Sequence, residues 1–275
     1  MPLHALIQIA HLVDWQGLLL FAAVCVPVEL LLPMHRRGLV RKGWTTDAFY
    51  LVVNGLFVRL GLSVLLITLV AALKALVPHG LPAFIAAQPL WLQIAGAVLI
   101  GDFALYWAHR ALHTNRLLWR FHAIHHAIEE LDWVAAYHAH PIDDVVLAGA
   151  SIGSVTVLGF SPEAIAGYVA IYSYMSAAVH VNTRLKTGPL RWVFGSPEFH
   201  HWHHSNERDA RDHNFASIIS FWDVLFGTVF LPRNRVPQVY GISDPMPSGY
   251  VDQLIHPFRR KAAESAGTAA IAPAP

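Results

Sequence analysis

The tight histidine groupings of this chain sit at the ends of apolar runs, and that placement limits what it can fold into. His109-Arg110-Ala111-Leu112-His113 comes first, then His122-Ala123-Ile124-His125-His126. His138 and His140 follow, then an isolated His180, and last His200-His201-Trp202-His203-His204. The chain holds 18 histidines against one cysteine, so a metal site here is built from imidazole nitrogen rather than thiolate. Imidazole suits iron, copper, nickel and zinc. Nine or ten clustered imidazoles exceed what a single ion can use, which points to a pair of ions.

The runs themselves read as membrane spans. Hydrophobic residues make up 55% of the chain, charged residues 13%, and the mean hydropathy is +0.43; soluble domains carry about 25% charged residues. Spans are expected at 16–34, 48–76, 91–109, 143–160 and 163–181, since a bilayer core takes about 20 apolar residues per helix. The 48–76 run is too long for one upright helix and carries Asn54 and Arg59. Basic residues set the orientation. Arg36, Arg37, Arg41 and Lys42 follow the first run, the 77–90 stretch has no Lys or Arg, and 110–142 and the region beyond 182 are again basic. An outside N-terminus satisfies every loop and puts all the histidine groupings on the cytoplasmic side. The expected fold is therefore all-α: a polytopic bundle of about four to five spans with a cytoplasmic helical cap carrying a histidine-rich dimetal site.

No Lys or Arg precedes the first run and no small-residue cleavage site stands out, so it reads as a retained span. Cys25 within it reads as inert packing. A net charge of +1 gives no reason to expect nucleic acid. Three regions follow: an N-terminal transmembrane region 1–90, a histidine-bearing region 91–231, and a C-terminal extension 232–275 whose Ala-, Ser- and Pro-rich tail from about 262 reads as disordered.

Helical spacing places the candidate ligands. Asp102, Tyr106, His109 and His113 recur at offsets of four, seven and eleven and share one face. A carboxylate within a span is costly unless partnered. Asp102 is therefore expected to accept a hydrogen bond from a ligand imidazole, with a plain helix–helix hydrogen bond as the alternative. Each His-x-x-His-His group projects three rings to one side of a helix. Gly159-Phe160-Ser161-Pro162 turns 143–160 into 163–181 as a hairpin and brings His140 and His180 back to the cluster. His180 reads as a ligand. His140, before Pro141, reads equally as a ligand or a helix cap, and His138 and His201 as neighbours of the site or exposed. His4, His11, His35, His79 and His256 are isolated. No acid repeats in the Glu-x-x-His pattern of soluble di-iron bundles, so carboxylates are expected outside the ligand set. Trp107, Trp133, Tyr137 and Tyr174 are candidates to shape a lipid channel, or else ordinary interface anchors.

These residues resemble the fatty acid hydroxylase/sterol desaturase superfamily of membrane di-iron oxygenases. The resemblance runs from about 90 to 231 through Asp102…Tyr106-Trp107…His109-Arg110…His113, Phe121-His122…His125-His126 and His140-Pro141-Ile142-Asp143. It continues through His180-Val181-Asn182, Ser196-Pro197-Glu198-Phe199-His200…His203-His204 and Phe221-Trp222-Asp223…Leu225-Phe226-Gly227-Thr228. It implies that His109, His113, His122, His125, His126, His180, His200, His203 and His204 ligate two irons, with His140 a candidate tenth. It also implies O2-dependent hydroxylation or desaturation of a sterol-like or alkyl lipid. Purified protein is able to carry zinc in place of iron. Asn214-Phe215-Ala216 stands where relatives commonly show Asn-Tyr-Gly, which bears on the local turn and substrate fit. Arg184 replaces a histidine of some acyl hydroxylases and leans the resemblance to the sterol-desaturase-like branch.

Neither a Gly-x-Gly-x-x-Gly site nor a Cys-x-x-Cys-His motif is present. Electrons are therefore expected from a separate ferredoxin, or from cytochrome b5 with its reductase. Rival readings are weaker. A histidine-rich metal transporter wants ligands near mid-bilayer on broken helices. A zinc hydrolase needs only three protein ligands and commonly His-Glu-x-x-His, which is absent. A non-catalytic metal-binding protein would keep the histidines and lack O2 consumption.

Overall fold

The computed structural model describes residues 15–259 except 39–40, 56–60, 62–63, 66–67 and 70. His4, His11, Arg59 and the tail from about 262 lie outside the described residues. Among the described residues every regular element is helical, and the only pairing of extended chain is an isolated bridge between Ser205 and Tyr240.

Helix α1 spans Trp15–Leu31, and α2 spans Trp44–Phe49. The expected 48–76 run is not one regular helix: Tyr50–Asn54 is π-helical and the run ends in a 3-10 turn at Lys74–Leu76. A short α3, Leu81–Ala86, leads into α4, Leu90–Thr114. Next come α5, Arg116–His126, then α6, Pro141–Leu158, and α7, Pro162–His180. The remaining helices are α8, Pro197–His203, α9, Phe221–Leu225, and α10, Tyr250–Ile255.

Two helices, α4 and α6, are long and apolar enough to cross a membrane; α1 is a shorter apolar helix. Large apolar side chains point outward along α4, with Trp91 70%, Leu99 50% and Trp107 43% exposed. Such exposure is costly in water and cheap in lipid.

Packing explains the arrangement. α4 lies against both α6 and α7. Gly101 permits the second contact, since a Cβ there would meet the Tyr168 ring at 2.5 Å. Ala97, Val155, Phe160, Ala164, Tyr168 and Ile218 form the apolar centre of this bundle. The hairpin between α6 and α7 follows helix-terminus chemistry. Gly159 ends α6 at φ 87°, and Ser161 caps α7 by accepting from the Ala164 amide at 3.3 Å. Asn115 breaks α4 from α5 in one residue, its side chain accepting from the Leu117 and Leu118 amides. That sharp break folds His122, His125 and His126 back over His109 and His113.

Candidate metal centre

Nine imidazoles gather in two adjoining groups. His109, His113, His122, His126 and His203 form one, and His125, His180, His200 and His204 the other; within each, the ligand atoms lie within 4.8 Å of one another. The His-x-x-His-His triplets do not act as units. α5 gives the i, i+4 pair His122/His126 to the five-membered group and His125 to the four-membered one. α8 does the reverse, giving His200 and His204 to the four-membered group and His203 to the five. Each group thus takes a one-turn pair from one helix and a single ring from the other. The rings of His126 and His204 stack at 4.5 Å where the groups meet.

Ring orientation is fixed from behind. Nδ1 of His109 donates to the Phe215 carbonyl at 2.6 Å, His125 to His138 O at 3.1 Å, His180 to Ser176 O at 2.6 Å and His203 to His213 O at 2.9 Å. His122 Nδ1 donates to both oxygens of Asp143, at 3.1 and 3.0 Å, and His113 Nδ1 approaches Asp212 at 3.3 Å. A carbonyl or carboxylate only accepts, so each of these rings, when neutral, carries its proton on Nδ1 and a lone pair on Nε2. The Nε2 atoms nonetheless converge. His109 and His122 stand 3.1 Å apart through Nε2, and His125 and His180 3.3 Å. Two lone pairs at that separation repel, and no proton remains to bridge them. A cation between them removes the conflict. Metal–imidazole bonds of about 2.0–2.1 Å set neighbouring nitrogens roughly 3.0–3.4 Å apart around a common ion. The buried, unpartnered Nε2 atoms of His113 and His203 fit the same requirement.

Burial and crowding favour uncharged rings. His125, His126, His200, His203 and His204 all have pKa values pushed well below 6.5, first by desolvation and then mainly by neighbouring imidazoles. Metal ligation needs the neutral form, so the cluster is poised for it.

Other expected residues are placed differently. Asp102 receives no imidazole: it accepts from the amides of Ile218 at 3.0 Å and Ile219 at 2.9 Å and from the Trp222 indole at 3.1 Å. Its face of α4 meets the returning 214–223 chain before reaching any ligand, so its work is to pin that chain. His140 lies outside both groups, with both ring nitrogens engaged. Nδ1 caps α6 through the Ile142 amide at 3.0 Å, and Nε2 bonds Leu254 O at 3.2 Å. His138 is buried and pairs with Asp47. His201, fully buried, bonds Tyr240 Oη at 2.8 Å. Trp107 and Tyr174 are partly exposed, and Trp133 and Tyr174 pack on Phe21; Trp119, rather than any of the four aromatics expected, lines the large cavity beside the cluster.

Three contributors had no role of their own from sequence, although Asp143 and Asp223 stand in the motifs that carry the resemblance. Asp143 stands two residues after Pro141, in the first turn of α6, where helix starts attract carboxylates. Asp223 accepts from the Phe215 and Ala216 amides at 2.8 Å and from Thr228 Oγ1 at 2.6 Å. Burial pushes its pKa up to about 6 against those bonds. The Phe215 carbonyl, held by Asp223 and Asp102 together, orients His109 and carries no side-chain signal at all.

An all-helical chain with an imidazole-only double cluster at the end of apolar helices defines a class, membrane-associated histidine-cluster proteins. Residues 94–228 match the fatty acid hydroxylase family. The chain is 31% identical to an ornithine lipid hydroxylase of Rhizobium tropici over 173 residues, 63% of this chain and 52% of that protein. It is 27% identical to the alkylglycerol monooxygenase of Homo sapiens over 145 residues, 53% of this chain and 32% of that protein. A very-long-chain aldehyde decarbonylase of Oryza sativa subsp. indica is 27% identical over 146 residues, 51% of this chain and 54% of that protein. The match thus spans about half or less of the length of each of these relatives. No solved structure matches the chain.

Proposed function

We propose that this chain is an integral membrane, O2-dependent lipid hydroxylase whose two histidine groups each hold one iron ion. The observation that carries the reading is the convergence of Nε2 lone pairs whose Nδ1 partners are already fixed. His109, His113, His122, His126 and His203 would hold one ion, and His125, His180, His200 and His204 the other. Bound iron supplies the O2 activation and C–H oxidation that amino-acid side chains cannot.

The chain's own residues supply three things. Phe215 O, His138 O, Ser176 O, His213 O and Asp143 hold five of the rings, those of His109, His125, His180, His203 and His122, so that their Nε2 atoms face inward. Burial of the rings sets the nitrogens in a low-dielectric surround. α4 and α6 hold the cluster at the level where a lipid chain leaves the bilayer. Residues 91–231 form the catalytic unit, with the cluster on the cytoplasmic side of a polytopic bundle. Two electrons per turnover come from a separate ferredoxin or cytochrome b5. Insertion of oxygen into an acyl or alkyl chain is favoured over a sterol ring, because the relatives named above are lipid and alkylglycerol enzymes.

Two measurements test the reading. Purified protein should contain close to two equivalents of iron, or of zinc acquired in its place. Lipid extracts of cells expressing the chain should contain a species heavier by one oxygen. A metal-loaded protein that leaves every lipid unchanged with donor and O2 supplied refutes the enzyme assignment and leaves a metal-binding protein.

A further inference from the structure

A cavity of about 970 Å³ opens on the cap side of the cluster. His113, His126, His203 and His204 line it, so it touches both groups of imidazoles. Its volume suits a drug- to lipid-sized ligand. Four arginines, Arg116, Arg120, Arg211 and Arg259, stand in its walls against two carboxylates, Asp212 and Asp244, an excess of two positive charges with the imidazoles neutral. The cations differ in how they are satisfied. Arg259 pairs with Asp252 at 3.1 Å, and Asp212 faces His113 while lying in the field of Arg211, which it partly balances. Arg116, Arg120 and Arg211 form no ion pair among the described residues. Arg120 Nη2 donates to Arg259 O at 2.9 Å and Arg211 Nε to Asn206 O at 3.2 Å. A neutral carbonyl fixes a guanidinium in place without neutralising it and leaves most of its five N–H donors free. Trp119, Ala123 and Met246 provide apolar wall in the same cavity.

The rim carries exposed apolar side chains. Val251, Ile255 and Phe258 are 65%, 44% and 60% exposed, at offsets of four and seven along α10 and the turn that follows it. Those offsets form one outward apolar stripe. Phe258 packs on Phe121 at 5.5 Å and on His140 at 6.0 Å, and His140 caps the start of α6. The stripe therefore continues the surface of an apolar helix, while the adjacent His256, Pro257 and Arg259 turn inward to line the cavity.

Resting on the dimetal reading, we propose that the substrate is a lipid with an anionic phosphate or carboxylate head. The head docks on Arg116, Arg120 and Arg211, and the aliphatic chain lies against Trp119, Ala123 and Met246 with its reacting carbon over the histidine cluster. Arginine suits this task because its planar fork matches both oxyanions in bidentate geometry. An acidic donor protein is the other anion such a surface would attract, but a cavity floored by buried imidazoles admits a chain and not a protein surface.

The test is calorimetric titration of the full-length protein, purified in a neutral detergent, with decyl phosphate, decyl glucoside and inorganic phosphate. Decyl phosphate should bind at least ten-fold more tightly than either control, and each of Arg116→Gln, Arg120→Gln and Arg211→Gln should weaken it about ten-fold with metal content unchanged. Equal binding of decyl glucoside refutes the head-group assignment on wild-type protein alone. Equal binding of inorganic phosphate makes the arginines a free-anion site and refutes the lipid. Variants that bind decyl phosphate normally but lose turnover with the electron donor assign the arginines to that protein instead. Metal-free protein that keeps the phosphate preference refutes the metal reading and leaves the head-group assignment standing; metal-loaded protein without the preference does the reverse.

Discussion

Replacing Asp143 with Asn separates the two halves of the cluster. Asp143 is 1% exposed, and its two oxygens lie 3.0 and 3.1 Å from His122 Nδ1. No Lys or Arg pairs with it among the described residues, so its charge is balanced only by the imidazole and whatever cation that ring holds. Asn is nearly isosteric, and its carbonyl still accepts from Nδ1, so the ring stays in place. What is lost is the charge. Hydrogen bonds to charged groups are worth about 1.5–3 kcal/mol against about 0.5–1.5 for neutral ones, a difference of roughly 1–2 kcal/mol. That corresponds to about a 5–30-fold weaker site, overlapping the roughly 10–100-fold range typical when a ligand's outer partner is removed.

The effect should be one-sided. His122 belongs to the five-membered group, whereas the Nδ1 bonds of His125 and His180 in the four-membered group go to neutral backbone carbonyls. Under stepwise chelator titration followed by elemental analysis, Asp143→Asn should release one equivalent of metal early and the second at the wild-type chelator concentration. Asp143→Ala should be worse, because it strands a buried N–H at a further cost of about 1–3 kcal/mol. Parallel loss of both equivalents, or unchanged release, refutes the assignment of Asp143 to one site.

His125→Ala and His203→Ala, drawn from different groups, should each abolish turnover and lower metal content while circular dichroism reports unchanged helix content; activity in both variants refutes the dimetal reading. Acid should unfold the metal-free protein through the buried imidazoles whose pKa values are depressed, among them His125, His126, His200, His203 and His204. Above pH 6.5 these rings are neutral in both folded and unfolded chain and contribute nothing; below it the unfolded chain takes up protons that the folded one excludes. Stability should therefore fall by about 1.4 kcal/mol per pH unit for each such ring, and a Tm that holds level from pH 7 to pH 5 contradicts their burial as neutral groups. Asp102→Ala strands the amides of Ile218 and Ile219 and the Trp222 indole, at about 1–3 kcal/mol each. It should depress Tm strongly, whereas Asp102→Asn, which keeps an acceptor, should depress it less; equal Tm values for the two variants refute the pinning role.

What could be read from sequence follows the range over which each interaction acts. The one-turn pairs His109/His113, His122/His126 and His200/His204 are properties of a single helix, so spacing alone put them on common faces, and the structure sets each pair in one group. How the triplets divide depends on how α5 and α8 are brought together, which follows from the one-residue break at Asn115 and from packing that no local pattern encodes. Asp102 illustrates the sharper limit. Its helical face correctly marked it as buried, but its partners are main-chain amides 116 and 117 residues away, which look the same in every sequence. His140 shows the converse: Pro141 after it already favoured a helix start, and the ring spends its Nδ1 lone pair on the cap that this start requires. The orientation of His109 is the furthest from the sequence. It depends on the carbonyl of Phe215, held by a loop that closes only because Asp102 and Asp223 each collect amides from it. A chain can therefore declare its metal ligands by residue type and still hide the groups that aim them, because the aiming is done largely by backbone atoms common to all residues.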